Sequence, residues 1–390
     1  MNVAFLTPSV SRALGGIFEI ERELAHSLIA DTPAEVEVFG LRDEHTAADL
    51  PSWDPIQPRV FDVRGPSAFG YAPGLVDALC AAPADVLHLH ALWMYTSVAS
   101  LRWARRTGKP HVVTINGMLD PWAVENSRWK KRLAGWVYEN ANLREAACLQ
   151  VNTDAECEAL RDYGIDTPAC IIPNGVVLPV DEGVAPPPWA NRAGSGSKVL
   201  LFLGRLHPKK GLEELIDGWH RAQQASTDDN AWELMLVGWD DGGYEAELRR
   251  QVRRLHLSDS VNFLGPRFGD EKEAAFHHAD AFILPSHSEG LPMAVLEAWS
   301  HRLPTLISPA CNLPDGREAG AALSVAPSAD SVAETLAHLW QRPASELTHM
   351  GEQGRALVER KFTWPRVAQQ LYAVYQWVAG HSPRPDCVRG

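Results

Sequence analysis

Basic charge is scarce in this 390-residue chain: 36 lysines and arginines stand against 49 aspartates and glutamates, a formal net charge of −13. That excess of acid argues against a general nucleic-acid binder, although a local basic patch can still hold an anion. No apolar run reaches membrane-spanning length, and Met1 leads straight into the strand-like Asn2-Val3-Ala4-Phe5-Leu6. Neither a transmembrane helix nor an export signal is therefore expected, and the chain reads as cytoplasmic. The six cysteines (Cys80, Cys148, Cys157, Cys170, Cys311 and Cys387) are scattered, without Cys-x-x-Cys or histidine-rich spacing. They read as mostly buried free thiols, not as a disulfide framework or a zinc site. The fingerprint Gly-x-Gly-x-x-Gly is also absent, which argues against a nicotinamide-dependent enzyme.

What the chain does have is length and alternation. At 390 residues it exceeds one ordinary core, so two domains are expected. Short apolar runs at 2–7, 35–40, 59–63, 85–90, 110–115, 146–151 and 169–172 predict strands, with helical patterns such as 17–30, 94–107, 129–145 and 153–163 between most of them. Ala185-Pro186-Pro187-Pro188 and the stretch 191–197 (NRAGSGS) interrupt this rhythm as a linker. The alternation then restarts, with strands at 198–203, 232–237, 260–264, 280–285, 304–307 and 321–325, and ends in a purely helical part, 330–380. Continuous apolar strands such as Lys198-Val199-Leu200-Leu201-Phe202-Leu203 suit parallel sheets covered on both faces. The prediction is α/β: two Rossmann-like, doubly wound domains facing a central cleft, with 1–178 and 198–364 on either side of a linker at 179–197.

In such sheets ligands lie beyond the carboxyl ends of the strands. After strand 198–203 comes Gly204-Arg205-Leu206-His207-Pro208-Lys209-Lys210-Gly211. A guanidinium fork at Arg205 and a mobile ammonium at Lys210 match a diphosphate, at roughly 1.5–3 kcal/mol per charge-assisted bond; a plain basic surface loop has the same letters. After strand 280–285 comes Ser286-His287-Ser288-Glu289-Gly290-Leu291-Pro292-Met293, with Glu297 further on between Val295, Leu296, Ala298 and Trp299. Pro292 suits a first helical turn, and the N–H groups around Gly290, Leu291 and Met293 suit a phosphate. Glu289 and Glu297 are placed to accept bonds from sugar hydroxyls, whereas a helix glutamate alone is more often solvated.

The Glu289-x7-Glu297 pair, the GRLHPKKG loop and Ile172-Pro173-Asn174-Gly175 before the linker resemble, in order and spacing, the retaining glycosyltransferases of family 4, which have a GT-B fold. The resemblance implies that Arg205 and Lys210 hold the diphosphate of a nucleotide-sugar donor, that Glu297 binds the nucleotide ribose and that Glu289 touches donor-sugar hydroxyls. Gly15, Gly16, Gly290, Leu291, Pro292, Met293 and Asn174 complete the expected donor-binding set. It also implies that the closing helix, after Phe362-Thr363-Trp364-Pro365, packs back on the first domain over 365–380. No two aspartates stand two apart, so the Asp-x-Asp motif of metal-assisted enzymes is missing. No metal or other cofactor is expected, and Arg205, Lys210 and helix amides take the metal's part.

On the acceptor side, Gly15 and Gly16 open the first helix and let backbone approach a ligand; an ordinary turn accounts for them as well. His88 and His90 alternate onto one face of strand 85–90, His88 reading as core and His90 as a candidate at the strand end. Asn116, followed by Gly117, stands where many family members have histidine, so it can hydrogen-bond a sugar but cannot act as acid or base. Asp120-Pro121 reads equally as a turn, and Thr153-x-x-Glu156 equally as a capping box. The candidate catalytic set is Arg205, Lys210, Glu289, Asn116 and His90. Segment 128–136 is basic and aromatic, a possible contact for an anionic membrane or lipid-linked acceptor and equally a solvated helix face. The 14 tryptophans suit a core or sugar-stacking platforms. The expected function is retaining transfer to a glycan, lipid-linked or small-molecule acceptor in envelope or exopolysaccharide assembly. The alternatives are a GT-B nucleotide-sugar epimerase and a non-catalytic nucleotide-sugar-binding protein.

Overall fold

The structure is a computed structural model, and it describes residues 1–119, 128–180, 183–190, 196–225, 232–240 and 242–390. Asp120-Pro121 and part of the linker (181–182 and 191–195) lie outside the described residues. Two compact units are present: Met1–Gly175 together with Trp364–Gly390, and Val176–Thr363.

The first unit is built on an eight-stranded sheet. Its strands are β1 (Asn2–Thr7), β2 (Glu35–Leu41), β3 (Arg59–Phe61), β4 (Val86–Leu89), β5 (His111–Thr114), β6 (Cys148–Val151), β7 (Ala169–Ile171) and, near the end of the chain, Val388–Arg389. Their order is 388–389, β7, β6, β5, β4, β1, β2, β3. All pairs are parallel except the last strand, which runs antiparallel on β7, with Val388 opposite Cys170. One face is covered by α1 (Gly16–Asp31) and by the helix Trp364–Val378, whose Trp364, Val367, Leu371, Val374 and Tyr375 pack with Val3, Phe5, Phe18, Leu24 and Leu28. Each such side chain contributes about 1.5–3 kcal/mol on burial.

A chain of buried hydrogen bonds fastens that closing helix to the sheet. Thr114 Oγ1 donates to Gln150 Oε1 at 3.0 Å, so the proton between His88 and Thr114 must come from His88 Nε2, at 2.6 Å. His88 Nδ1 is then the acceptor for Tyr375 Oη, also at 2.6 Å, and Gln150 Nε2 donates to Ile172 O at 3.3 Å. His88 is fully buried, and burial, then the neighbouring His90, holds its pKa well below the usual histidine range. It is the core residue that its position predicts.

The second unit carries β8 (Lys198–Leu203), β9 (Trp232–Val237), β10 (Val261–Gly265), β11 (Ala281–Leu284), β12 (Thr305–Ile307) and β13 (Ala322–Ser324), in the order 10-9-8-11-12-13 and parallel throughout. Every residue of β9 is buried, as a strand covered on both faces requires. The tryptophans divide. Trp53, Trp103, Trp219 and Trp299 are core, while Trp129, Trp136 and Trp239 are exposed.

The predicted strands all form, within a residue or two at their ends. Three features depart from the sequence pattern. The helix expected over 129–145 is interrupted by a π-turn at Gly135–Glu139, between Arg128–Ala134 and Asn140–Glu145. Leu75–Ala81 forms a seven-residue helix, too short for a clear 3.6-residue period. The two-residue strand Val388–Arg389 exists only through its pairing with β7. Among the described residues no helix is long and apolar enough to cross a membrane.

Tyr375→Phe removes the proton that His88 Nδ1 accepts and leaves a buried acceptor without a partner. Its expected cost is about 1–3 kcal/mol. Chemical denaturation of the variant should show a lower midpoint at unchanged slope, and an unchanged midpoint would rule out this bond as a fastening of the closing helix.

Candidate active site

In the second unit the chain runs outward from β8 through β10, then returns to place β11 on the other side of β8. The carboxyl ends of β8 and β11 therefore flank the switch point of the sheet, where a doubly wound fold opens a crevice. The loop after β8 ends in a 3-10 turn, Pro208–Lys210, and Gly211. Gly211 has φ +67°, and a Cβ there would lie 2.2 Å from Pro285 O, so the loop can pass over the end of β11 only with glycine at this point. His287 N donates to Lys209 O at 2.8 Å, and His287 Nε2 meets Glu214 Oε1 at 3.1 Å.

This docking brings together two residues that are 79 apart in sequence. Lys210 Nζ lies 2.6 Å from Glu289 Oε1, with both side chains largely buried. Ser286 Oγ donates to the same oxygen at 2.5 Å. The turn carrying Glu289 is held from the loop after β12. Asn312 Nδ2 donates to Glu289 O at 2.7 Å, Glu289 N donates to Ala310 O at 3.0 Å, and Ser308 Oγ donates to Ser286 O at 2.6 Å. Cys311, inside this loop, has its thiol pushed up to about 12 by burial and by the charge of Glu289, so it is a protonated packing residue.

Gly290 and Leu291 lead to the helix α2 of the site, Met293–Ser300. Pro292 is its N-cap, with φ −77° and ψ 101°, and not its first helical residue; its carbonyl accepts from Val295 N at 3.0 Å. That corrects the expected position by one residue, because proline's fixed φ suits either place and ψ decides between them. Most of this helix is buried, and Glu297 lies with Met293 on its less buried side, one turn apart. Its side chain leans toward the helix start, as helical side chains do. Glu297 Oε1 accepts from Lys272 Nζ at 2.8 Å. Arg205 is exposed just past the end of β8.

The remaining candidates belong to the first unit. Gly15 caps α1 with φ 60° and ψ −136°, a conformation for glycine alone, and Gly16 beside it is exposed. Asn116 follows β5 with φ 48°, and its Oδ1 lies 3.4 Å from Asn152 Nδ2. Asn174 is buried near the end of the unit. Thr153 caps the helix Asp154–Asp162 by accepting from Glu156 N at 3.2 Å, while Glu156 Oε2 accepts from Asn152 N at 2.8 Å. His90 lies beneath the surface, 2% exposed, its ring tilted against Phe5 at 4.3 Å and His88 at 4.1 Å. Its Nε2 has no partner among the described residues, and burial pushes its pKa down to about 3.

Ser286, Ser308, Asn312 and Lys272 were not singled out by sequence. Asn312 and Ser308 follow the carboxyl end of β12 and answer to the strand-end rule. Lys272 lies in the helix Gly269–His278 and has no local signal.

A family profile described as a glycosyl transferase 4-like domain matches residues 15–175, and one described as glycosyl transferases group 1 matches residues 188–357. A D-inositol 3-phosphate glycosyltransferase of Kineococcus radiotolerans is 31% identical over 329 residues, which span 75% of this chain and 72% of the relative. The chain belongs to the group 1 glycosyltransferases. The glycosyltransferase is also 26% identical over 316 residues to the GDP-mannose:cellobiosyl-diphosphopolyprenol alpha-mannosyltransferase of Xanthomonas oryzae, covering 79% of this chain and 78% of that one. Its fold is that of Anabaena HepE, solved in complex with UDP and glucose: TM-score 0.74 at 21% identity, with 97% of this chain and all of that one covered. Two Rossmann-like α/β units and this likeness make the fold GT-B.

The buried histidines give the glycosyltransferase a pH signature. Unfolded histidine titrates near 6.5, and buried His90 near 3, so between these values only the unfolded chain takes up the proton. Stability from His90 is complete above about pH 6.5 and falls by about 1.4 kcal/mol per unit below it. Glu21, whose carboxyl is raised by burial, contributes the opposite slope above the ordinary carboxylate range, so the comparison must be differential. His90→Phe should lose less stability than the parent between pH 6.5 and 4.5 in melts across that range; parallel profiles would show that His90 is solvated.

Proposed function

We propose that this glycosyltransferase moves a sugar from a nucleotide-sugar donor, a UDP- or GDP-sugar, to a glycan, lipid-linked or small-molecule acceptor. The reading places the reaction at the cytoplasmic face of the membrane, in envelope or exopolysaccharide assembly, with retention of anomeric configuration and without a metal. The observation that carries it is the meeting of Lys210 and Glu289 at 2.6 Å beside the start of the helix Met293–Ser300, at the switch point of the second sheet. Support also comes from similar proteins: a GDP-mannose donor and a diphosphopolyprenol-linked acceptor for one, UDP and glucose bound to another.

As the bond to the nucleotide breaks, negative charge gathers on the departing diphosphate and the anomeric carbon becomes positive. Groups already in place for that charge supply the largest share of catalysis. Arg205, Lys210 and the first N–H groups of the helix Met293–Ser300 hold the diphosphate, the helix amides through their lack of intrahelical partners. Glu289, already anchored by Ser286 and Lys210, accepts donor-sugar hydroxyls, and Glu297 accepts the two ribose hydroxyls. Attack comes from the same face as departure, with a leaving phosphate oxygen taking the acceptor's proton.

Thermal melts with UDP, GDP, ADP and their sugar conjugates test the donor site. A nucleotide at about a hundred times its dissociation constant stabilises by about 2.7 kcal/mol. One nucleotide family should raise the melting temperature, and Glu297→Ala should abolish that rise while keeping its own cooperative transition. No shift with any nucleotide, or an undiminished shift in Glu297→Ala, would overturn the assignment.

A further inference from the structure

Lys272, which meets Glu297, sits on a backbone that is fixed against the helix carrying that glutamate. Lys272 and Glu273 are neighbours on the helix Gly269–His278. Glu297 lies in the helix Met293–Ser300, and His301 follows one turn later as its C-cap. Two polar contacts cross between the helices. Lys272 Nζ donates to Glu297 Oε1 at 2.8 Å, and His301 Nε2 meets Glu273 Oε2 at 2.9 Å. The His301 ring also stacks on Phe276, with centroids 5.5 Å apart and planes 20° apart. Phe276 is fully buried, so the second contact is tied to the core.

The contact on Glu297 is one-sided. Its Oε1 is engaged by Lys272, and its Oε2 has no protein partner among the described residues. The two side chains are 29% and 20% exposed, so water screens the pair less than it screens an ordinary surface pair. A glutamate side chain turns about three bonds, and holding it in one setting beforehand removes an ordering cost from binding. Two neighbouring hydroxyls that each donate one hydrogen bond need both carboxylate oxygens in place at once. A carboxylate fixed through Oε1 has the direction of Oε2 fixed as well. The ammonium also offsets a negative charge that would otherwise repel an arriving diphosphate.

We propose that Lys272 is a positioning residue for nucleotide selection: it sets the Glu297 carboxylate for two neighbouring ribose hydroxyls, so that the site prefers a ribonucleotide to its 2′-deoxy counterpart. This role rests on the assignment of Glu297 to the ribose, and Lys272 acts through that carboxylate alone. A lysine that only tied the two helices together would change stability and would affect both nucleotides alike. The ratio of the two affinities therefore separates positioning from mere fastening.

Titration calorimetry of the full chain tests the role, with UDP or GDP, whichever raises the melting temperature, and with the 2′-deoxy form of the same nucleotide. The parent should bind the ribonucleotide at least about tenfold more tightly, since the deoxy form leaves the carboxylate short of a hydrogen bond. Lys272→Met should weaken ribonucleotide binding about three- to tenfold and narrow the preference by at least about threefold. Lys272→Gln, which keeps a donor without the charge, should fall between the two, and Lys272→Arg should recover most of the preference. Glu273→Ala breaks only the neighbouring contact and should keep the parent's preference, whatever its melting temperature. An undiminished preference in Lys272→Met and Lys272→Gln, or an equal loss in Glu273→Ala, would overturn the proposal while leaving the donor site standing. A parent that binds no nucleotide, or one that Glu297→Ala binds equally well, would overturn the donor-site reading and this role with it.

Discussion

Parallel pairing is the constraint from which the rest follows. Two parallel strands cannot be joined by a tight turn, so each chain return must cross a face of the sheet, and the loops leaving the carboxyl ends collect along one edge. Among the described residues thirteen strands obey this, and only Val388–Arg389 runs the other way, at the rim of the first sheet. In the second unit the reversal of strand order at β8 and β11 separates two adjacent crossovers and leaves their loops side by side. Lys210 and Glu289 meet for that topological reason, although 78 residues separate them along the chain. The fold thus places a cation and a carboxylate in contact before any ligand is considered.

The first unit has a different problem, since its closing helix arrives from the far side of the second unit in sequence. Apolar burial of Val367, Leu371 and Val374 supplies the attraction, but burial alone has no direction. The Tyr375–His88–Thr114–Gln150 chain supplies one, because each donor has a single acceptor in line and the series reads in one sense only. It passes through β4, β5 and β6, so the helix is registered against three strands at once. A buried neutral histidine is costly to charge, and this links the fixing of the helix to pH.

The fold was legible because its signals are local. Continuous apolar runs marked the strands, and the break in rhythm before Lys198 marked a second series. The donor-side candidates were legible as types of residue after strand ends, yet their pairings were not. Nothing in the sequence joins Lys272 to Glu297, since that contact is made across two helices, and nothing shows that Glu289 Oε1 is shared by Lys210 and Ser286. His90 shows the limit from the other direction. Its place at the end of β4 makes it a candidate for the site, while its contact with the Phe5 ring depends on the register of β4 against β1. Segment 128–136 was ambiguous for a related reason: composition shows an amphipathic helix, but only packing shows which face is turned inward.

On the proposed function, the Lys210–Glu289 pair has a consequence for the order of events. Both side chains are largely buried, where an unpaired charge is expensive, so the carboxylate and the ammonium hold one another in the absence of an anion. An arriving diphosphate competes for the same ammonium and repels Glu289 Oε1. Sugar hydroxyls carried by the donor then supply the carboxylate with the hydrogen bonds that Lys210 gives up. A bare nucleoside diphosphate brings the repulsion without that replacement. On that reading the intact donor is favoured over its own leaving group, through the carboxylate that the fold brings into contact with the lysine.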